Sequence, residues 1–338
     1  AAGGACEVAF PVSHLAVEQS TGREEAIEVS LARIRQLSAH EVGHTLGIAH
    51  NFAASTYGDR ASVMDYPAPM FRLDASGEID TSNAYAVGMG IWDLRTIDYM
   101  YRAFDDVEDW RTYVEVKLAQ DERNGILYIS DADARPLGGA HPAAHLWDNG
   151  SDPIAELETT LDLRRVAMEK FDSQVLLDGE PLGELVRAFT PLYFYHRFQT
   201  EATIKLVGGV NYAYSMPGDA NAVAVPVKAE VQRQAVEALM KTLDAATLVV
   251  PTRLLEILIP ASSRTAWSNE EPSGFTGPIF DPLATAETAA GMTAKGLLHP
   301  ARAARLVTQG TTVEGHPGLQ LILKPLGGLV VRNLSSPS

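Results

Sequence analysis

The sequence contains one cysteine, Cys6, so no disulfide bond can form within the chain. It also lacks any apolar run as long as the roughly 20 residues that cross a membrane as a helix. Basic residues are few, since 27 Lys and Arg stand against 43 Asp and Glu, and the formal net charge is −16. A surface of that sign repels phosphates, which argues against nucleic acid as a partner.

The rest of the composition is typical of a soluble enzyme. Of the 338 residues, 46% are hydrophobic and 21% are charged, and the mean hydropathy is −0.04. A chain of this length and composition can bury one large core or two smaller ones. No internal repeat is visible, so a solenoid or array of repeats is not expected.

The most informative segment is His40-Glu41-Val42-Gly43-His44-Thr45-Leu46-Gly47-Ile48-Ala49-His50. His40 and His44 are four residues apart, a spacing that stacks two side chains on one face of a helix. Gly47 allows the helix to end, because glycine accepts the left-handed conformation found just past many helix C-termini, and His50 can then supply a third ligand. Catalytic zinc usually takes three protein ligands and leaves the fourth position to water. The segment therefore predicts a catalytic zinc site, with Glu41 accepting a proton from that water.

A second motif lies downstream, where Met64 follows His50 by fourteen positions within Ser62-Val63-Met64-Asp65-Tyr66-Pro67. Together the two motifs resemble the metzincins, zinc endopeptidases in which a methionine-containing turn follows the histidine motif. The resemblance implies that Met64 forms a hydrophobic floor beneath the metal. A flexible, polarisable thioether suits that role, because it packs easily into an irregular apolar gap.

Tyr66 stands two residues after the turn methionine, as in astacin-like and serralysin-like metzincins. The resemblance implies that its phenol approaches the zinc and stabilises the tetrahedral oxyanion. The alternative is that the ring only packs beside Pro67. Asp65 is expected to orient the backbone or a histidine rather than to bind the metal.

Further segments resemble a family of large bacterial zinc-dependent metalloproteases, over residues 34 to 306. The resemblance implies an exported protein, periplasmic or extracellular, whose full length is greater than this chain. No basic region followed by an apolar stretch occurs at the start of the sequence, so we expect any export signal to lie in sequence not printed here. The segments that carry the resemblance are residues 39–55, 62–69, 90–93, 129–135, 145–150 and 206–212. Outside the two motifs, the sequence does not assign a chemical role to these segments.

The expected fold is mainly α, with a metzincin-like active-site helix and Met-turn followed by a helical C-terminal region. Residues 1–110 are predicted to form the catalytic portion and residues 111–338 the mostly helical remainder. Metzincins place a mostly parallel sheet before the active-site helix, whereas about twenty residues precede it here and residues 7–12 could form one short strand. We therefore expect the N-terminal β-sheet to be largely absent from this chain and to belong to a missing N-terminal portion of the same protein. The helix face with Ile27, Leu31 and Ile34 would then lack part of its cover.

Hydrophobic periodicity and capping residues place the individual elements. Thr21 and Glu24 have capping-box spacing at the start of the active-site helix, and Asp152 before Pro153 is typical of a helix N-terminus. Residues 51–76 and 261–282 are predicted to be loops, and residues 318–331 a short strand pair. The predicted helices span residues 22–46, 91–104, 153–170, 182–206, 227–243, 252–257 and 283–298.

A second group of possible metal ligands consists of His141, His145, Asp131 and Asp133. The spacing lacks a zincin-type carboxylate partner, so these residues are predicted to lie in a surface loop that could border the substrate cleft. His196 lies in the aromatic stretch Tyr193-Phe194-Tyr195-His196 and is predicted to be an interior histidine.

The sequence therefore predicts a zinc-dependent endopeptidase that acts on a peptide or protein substrate. His40, His44 and His50 would bind Zn²⁺, Glu41 would be the general base and Tyr66 would assist. The alternative is a non-catalytic binding or scaffold protein that keeps zinc for folding, although a purely structural site has no need of Glu41. A zinc hydrolase acting on something other than peptides also stays open.

Overall fold

The computed structural model describes residues 23–335, except for residues 59, 218, 220–222 and 261–273 and the side chains of residues 23 and 332–335. The mainly α fold class is confirmed. The α-helices are α1 Arg23–Thr45, α2 Ile91–Tyr101, α3 Val107–Arg123, α4 Asp131–Ala134, α5 Pro153–Lys170, α6 Leu185–Tyr193, α7 Arg197–Leu206, α8 Ala229–Lys241, α9 Ala245–Leu248, α10 Thr252–Leu255, α11 Pro282–Leu297, α12 Pro300–Thr312 and α13 Gln320–Ser335. Single 3-10 turns lie at Ala54–Thr56, Ser173–Val175 and Leu182–Glu184. Within the described residues, none of the helices combines the length and the apolar character needed to cross a bilayer.

The strands in the described part of the chain are short. Strand β1 (Arg72–Leu73) pairs antiparallel with β2 (Ile79–Asp80), and β3 (Val210–Asn211) pairs antiparallel with β4 (Val225–Pro226). The strand predicted at residues 7–12 lies outside the described residues, as does Thr21 of the predicted capping box. These two strand pairs connect loop segments beside the helices and do not form a separate layer of the fold.

Helix α1 matches its prediction closely and ends as Gly47 requires. Gly47 has φ of +85°, its N–H donates to the His44 carbonyl at 2.9 Å, and the Ile48 N–H donates to the Gly43 carbonyl at 3.1 Å. This pair of bonds is a Schellman motif, which satisfies the last carbonyls of the helix and turns the chain sharply. The turn is what brings residue 50 back beside the helix.

The buried face of α1 is partly polar. Ile27, Leu31 and Ile34 are between 46% and 58% exposed, in line with the prediction that this face lacks part of its cover. The opposite stripe, at spacings of three and four residues, is buried against the rest of the molecule and consists of Ala26, Val29, Arg33, Gln36 and His40. The stripe is apolar at its start and polar towards its end, and its burial places His40 inside the molecule.

The helices after residue 150 surround two apolar cores. The first core contains Phe171, Phe189, Tyr193 and Leu254, and the second contains Leu157, Ile204, Leu239, Leu306 and Ile322. Helix α5 starts as predicted, since the Asp152 carboxylate accepts hydrogen bonds from the N–H groups of Ile154 and Ala155 at 3.0 and 3.2 Å.

Two predictions for the helical region were wrong. Residues 182–206 form a 3-10 turn and two helices, α6 and α7, instead of one helix. The chain turns at residues 194–196, because Phe189 before the turn packs into the first core and Ile204 after it packs into the second. Residues 318–331 belong largely to helix α13, since Leu321 and Ile322 pack into the second core against α8. Helices α3 and α12 were not predicted as separate elements.

Side chains from both parts of the proposed division at residue 110 pack together. Phe52 and Tyr66 share a cluster with Ile129 and Trp147, and Phe71 shares another with Leu163. The division into residues 1–110 and 111–338 remains a prediction.

Candidate metal centre

The three motif histidines meet at one point of the fold. His40 and His44 project from the last turns of α1, and the Schellman turn returns His50 to their side. One ring nitrogen from each histidine lies within 4.8 Å of the other two. The helix spacing and the glycine stop predicted from sequence therefore produce the expected triad.

Each histidine has one ring nitrogen bound to an acceptor. The Nδ1 atoms of His40 and His44 lie 2.7 and 3.0 Å from the carbonyl oxygens of Val63 and Ile48, and Nδ1 of His50 lies 2.9 Å from a carboxylate oxygen of Asp131. Carbonyl and carboxylate oxygens accept hydrogen bonds, so each neutral ring carries its proton on Nδ1. The three Nε2 atoms are thereby left with free lone pairs.

The Nε2 atoms have the spacing of metal ligands. Nε2 of His44 and Nε2 of His50 are 3.1 Å apart, and Nε2 of His40 is buried without a hydrogen-bond partner. Two nitrogens at about 2.0–2.1 Å from a tetrahedral zinc ion would be roughly 3.3–3.4 Å apart. Lone pairs that face each other at this distance repel unless a cation lies between them, so the residues present fit Zn²⁺.

Burial favours the metal-binding form of His40 and of His50. Burial lowers the pKa of His40 to about 4, although the hydrogen bond to Val63 opposes the shift. Burial also lowers the pKa of His50, against the opposing hydrogen bond and charge of Asp131. Neutral imidazole is the metal-binding form, so both shifts reduce competition from protons.

Met64 packs against helix α1 between two of the motif histidines. Its side chain is fully buried, and a Cβ added to Gly43 would lie 2.2 Å from its sulfur. Gly43 stands between His40 and His44 in the chain, so the thioether touches the backbone of α1 where these two side chains emerge. The contact leaves no room for a Cβ at position 43. The floor beneath the metal that the metzincin resemblance implies remains a prediction.

The methionine turn is held by the buried carboxylate of Asp93. Asp93 accepts hydrogen bonds from the Ser62 hydroxyl at 2.6 Å and from the N–H groups of Val63 and Gly90 at 2.9 and 2.7 Å. Since the Val63 carbonyl binds His40, Asp93 fixes one histidine through the turn. The role of Asp93 was not predicted, because nothing local in Gly90-Ile91-Trp92-Asp93 points to a turn thirty residues earlier.

Asn51, directly after the third histidine, is a second unpredicted anchor. Its side-chain oxygen accepts from the N–H groups of Ala53 and Ile129 at 3.2 and 3.1 Å, and its nitrogen donates to the Leu127 carbonyl at 2.9 Å. Asn51 is fully buried. It thereby joins the segment after His50 to the segment that precedes Asp131.

Tyr66 lies against the histidines and is only 8% exposed. Its ring centroid is 5.1 Å from that of His40 and 4.7 Å from that of His50, and it stacks on Trp147 at 4.9 Å with an interplanar angle of 18°. The ring therefore packs on Trp147 and lies beside the three histidines. This position is compatible with an oxyanion-stabilising phenol, and that role remains a prediction. Glu41 is exposed on α1, one residue after His40.

Asp65 is buried and orients backbone, as expected. Its carboxylate accepts from the N–H groups of Ser55 at 3.1 Å and Tyr66 at 2.7 Å. Burial, together with the charge of nearby Asp148, raises its pKa well above the ordinary range. Asp65 is not part of the histidine group that could hold a metal.

The prediction of surface-loop positions was wrong for His141 and His145, which are buried, and for Asp131 and Asp133, which lie on helix α4. His141 and His145 are 1% and 4% exposed, because the segment folds inward; Nε2 of His141 lies 3.0 Å from the Tyr212 carbonyl. Asp131, in contrast, binds His50. His196 is 2% exposed, which confirms its interior position.

The described part of the chain is mainly helical and brings together three histidines that could hold a metal ion, beside the turn that contains Met64. The family model described as Met-zincin matches residues 22–337 of the chain, so the chain belongs to the Met-zincin family. No curated protein and no solved structure matches the chain. The family membership supports a zinc metalloprotease.

Proposed function

We propose that this protein is a zinc-dependent endopeptidase that hydrolyses peptide bonds in peptides or proteins. The observation that carries the proposal is the convergence of three Nε2 lone pairs, each set by an acceptor on the opposite ring nitrogen. His40, His44 and His50 would hold the zinc. Bound zinc would polarise the scissile carbonyl and lower the pKa of a water in its fourth position.

The residues of the chain have separate roles in this reaction. Glu41 follows His40 on the helix, about 100° further round, and its exposed carboxylate accepts the proton of the attacking water and passes it to the leaving amine. Tyr66 donates a hydrogen bond to the developing oxyanion. Met64 supports the backbone from which two of the ligands project.

The alternative of a structural zinc site has less support. Structural zinc sites usually have four protein ligands, whereas the group in the described part of the chain has three histidines. A catalytic site keeps its fourth position open for water. We further propose that the protein acts outside the cytoplasm, a proposal supported by the resemblance of its segments to exported bacterial metalloproteases.

Replacement of Glu41 by Gln tests the mechanism. We expect wild type and Glu41→Gln to bind one zinc per chain, and the variant to lose hydrolysis of a mixed peptide library by at least about 100-fold, because it lacks the base and keeps the ligands. Zinc content is measured by elemental analysis and cleavage by mass spectrometry. Glu28→Gln, an exposed change on the same helix, is the matched control and should retain full activity.

The outcomes separate the alternatives. Equal cleavage by wild type and Glu41→Gln would contradict the role of Glu41. Zinc binding with no cleavage by wild type would instead favour the scaffold protein. Absence of zinc from wild type would overturn both.

A further inference from the structure

Asp131 contacts both His50, the third motif histidine, and the guanidinium group of Arg135. One carboxylate oxygen lies 2.9 Å from Nδ1 of His50, and the other accepts a hydrogen bond from Nε of Arg135 at 2.5 Å. The side chain of His50 is 15% exposed and that of Asp131 is 42% exposed, so the pair lies at the border of the site. Asp131 therefore uses both oxygens for specific partners, rather than facing solvent as an ordinary loop acid does.

Arg135 contacts Tyr66 as well as Asp131. Its guanidinium carbon is 5.5 Å from the ring centroid of Tyr66 and 5.5 Å from that of Phe52. Hydrogen bonds to Asp131 and to Tyr66 raise the pKa of Arg135, more than offsetting the effect of burial. Since the Tyr66 ring lies 4.7 Å from that of His50, the contacts form a closed ring of four residues.

Helix α4, which begins at Asp131 and is followed directly by Arg135, is itself fixed to the body of the protein. The hydroxyl of Tyr212 donates to Asp133 at 2.5 Å, and the buried ammonium of Lys205 donates to the Ala134 carbonyl. Asn51 holds the residue that precedes the helix by two positions. The pair is therefore presented by a rigid support.

We infer that Asp131 and Arg135 are a positioning pair, in which Asp131 orients His50 for the metal and Arg135 holds the Tyr66 hydroxyl on the same side. This inference rests on the proposed function and extends it to two residues outside the metal motif. A carboxylate on the far nitrogen of a ligating imidazole fixes the ring and raises its basicity, and loss of such a partner commonly costs about 10- to 100-fold in metal affinity.

A simple surface ion pair predicts a different result. Exposed pairs of Asp and Arg contribute little to stability and have no effect on a metal site. The chain contains a suitable comparison, because Arg72 has the same 39% side-chain exposure as Arg135 and binds Glu156 at 2.7 Å.

Zinc affinity tests the first half of the inference without reference to catalysis. We expect Asp131→Asn to weaken zinc binding about 10- to 100-fold in competition with a chromogenic chelator, and Glu156→Gln, which removes the partner of Arg72, to change it less than about 3-fold. The melting temperature of each zinc-free protein shows whether the fold is kept. If Asp131→Asn destabilises the fold, Asp131→Glu should restore the fold and leave zinc binding weakened, because the longer side chain displaces the carboxylate.

Kinetics of peptide cleavage test the second half. We expect Arg135→Lys to lower kcat more than it changes KM, because lysine lacks the forked donor that reaches Asp131 and Tyr66 together. The effects of Arg135→Lys and Tyr66→Phe should also be non-additive, since both remove the same hydroxyl geometry. Arg72→Lys should leave kcat unchanged.

The results distinguish this inference from the proposed function. If wild type binds zinc and cleaves peptides while Asp131→Asn binds zinc as tightly, the positioning role is overturned and the endopeptidase stands. Additive effects of Arg135→Lys and Tyr66→Phe would overturn the link through Arg135. If wild type bound no zinc, the proposed function and this inference would fall together.

Discussion

Two regions of this protein are stabilised in different ways. The site region, residues 40–66 and 127–148, is mostly loop and contains many buried polar side chains, such as Asn51, Asp65 and Asp148. The helical region, residues 153–335, is built around the two apolar cores. In the first region position depends on individual hydrogen bonds, and in the second it depends on the fit of many apolar contacts.

Buried cations connect the two regions. Lys205 on α7 is 2% exposed and donates hydrogen bonds to the carbonyls of Ala134 and Ala144, the latter at 2.5 Å. Arg302 on α12 is fully buried and donates to the Leu137 carbonyl at 3.2 Å. Loop carbonyls that lack strand partners are satisfied in this way, so the helical region acts as the support of the site region. The comparison predicts that changes in each region affect different properties.

The largest loss of stability is expected in the first core. Phe189 is fully buried against Phe171 and Phe280, so Phe189→Ala should lower the free energy of unfolding by about 3–5 kcal/mol. Zinc affinity of the folded protein should stay within about 3-fold of wild type, because the first core, in the part of the chain that is described, contains none of the motif histidines and none of their hydrogen-bond partners. Urea unfolding and chelator competition measure the two quantities. Phe275→Ala, at an 89% exposed position, is the control that should be close to neutral. A parallel loss of zinc affinity in Phe189→Ala would show that the two regions are not separable.

Gly43→Ala is expected to lower stability less than Phe189→Ala does, and to weaken zinc binding more. A methyl group there would lie 2.2 Å from the Met64 sulfur, so Gly43→Ala should cost about 1–3 kcal/mol and weaken zinc binding by displacing α1 from the methionine turn. Gly291 is the matched control, because it is also helical and has only Lys295 near the added carbon, at 4.0 Å. Gly291→Ala should raise stability by about 0.5–1 kcal/mol. Similar melting temperatures and zinc affinities for the two variants would contradict the contact.

The smallest expected effect is on the pH dependence of the free energy of unfolding, through a buried histidine of the helical region. Burial lowers the pKa of His196 to about 3, whereas the unfolded chain has an ordinary value near 6.5. Between these values the unfolded state binds a proton that the folded state does not, so stability present above pH 6.5 is lost as pH falls, by at most about 1.4 kcal/mol per unit. Urea unfolding of zinc-free protein between pH 7 and 5 should therefore show a shallower slope for His196→Gln than for wild type. The three motif histidines contribute equally to both proteins, so parallel slopes would rule out this role of His196.

Features that depend on neighbours in the chain were predictable from sequence. The four-residue spacing of His40 and His44, the helix end at Gly47 and the cap at Asp152 all rest on contacts within about five residues. Helical periodicity and the conformational range of glycine determine such contacts almost without regard to the rest of the molecule. For the same reason the helices at α5 and α11 were placed within one or two residues of their observed bounds.

Only the tertiary structure decided which distant residues complete the site. Asp131 is 81 positions from His50, and Asp93 is 31 from Ser62, yet each makes a hydrogen bond on which the geometry of the triad depends. It also decided that the apolar stretch around residue 195 turns between two cores and that the segment after residue 318 is helical. The sequence by itself determined the spacing of the three motif histidines and the helical class, because local patterns encode both. Which partner covers each face, and which carboxylate reaches each histidine, follows from packing between segments that no local pattern specifies.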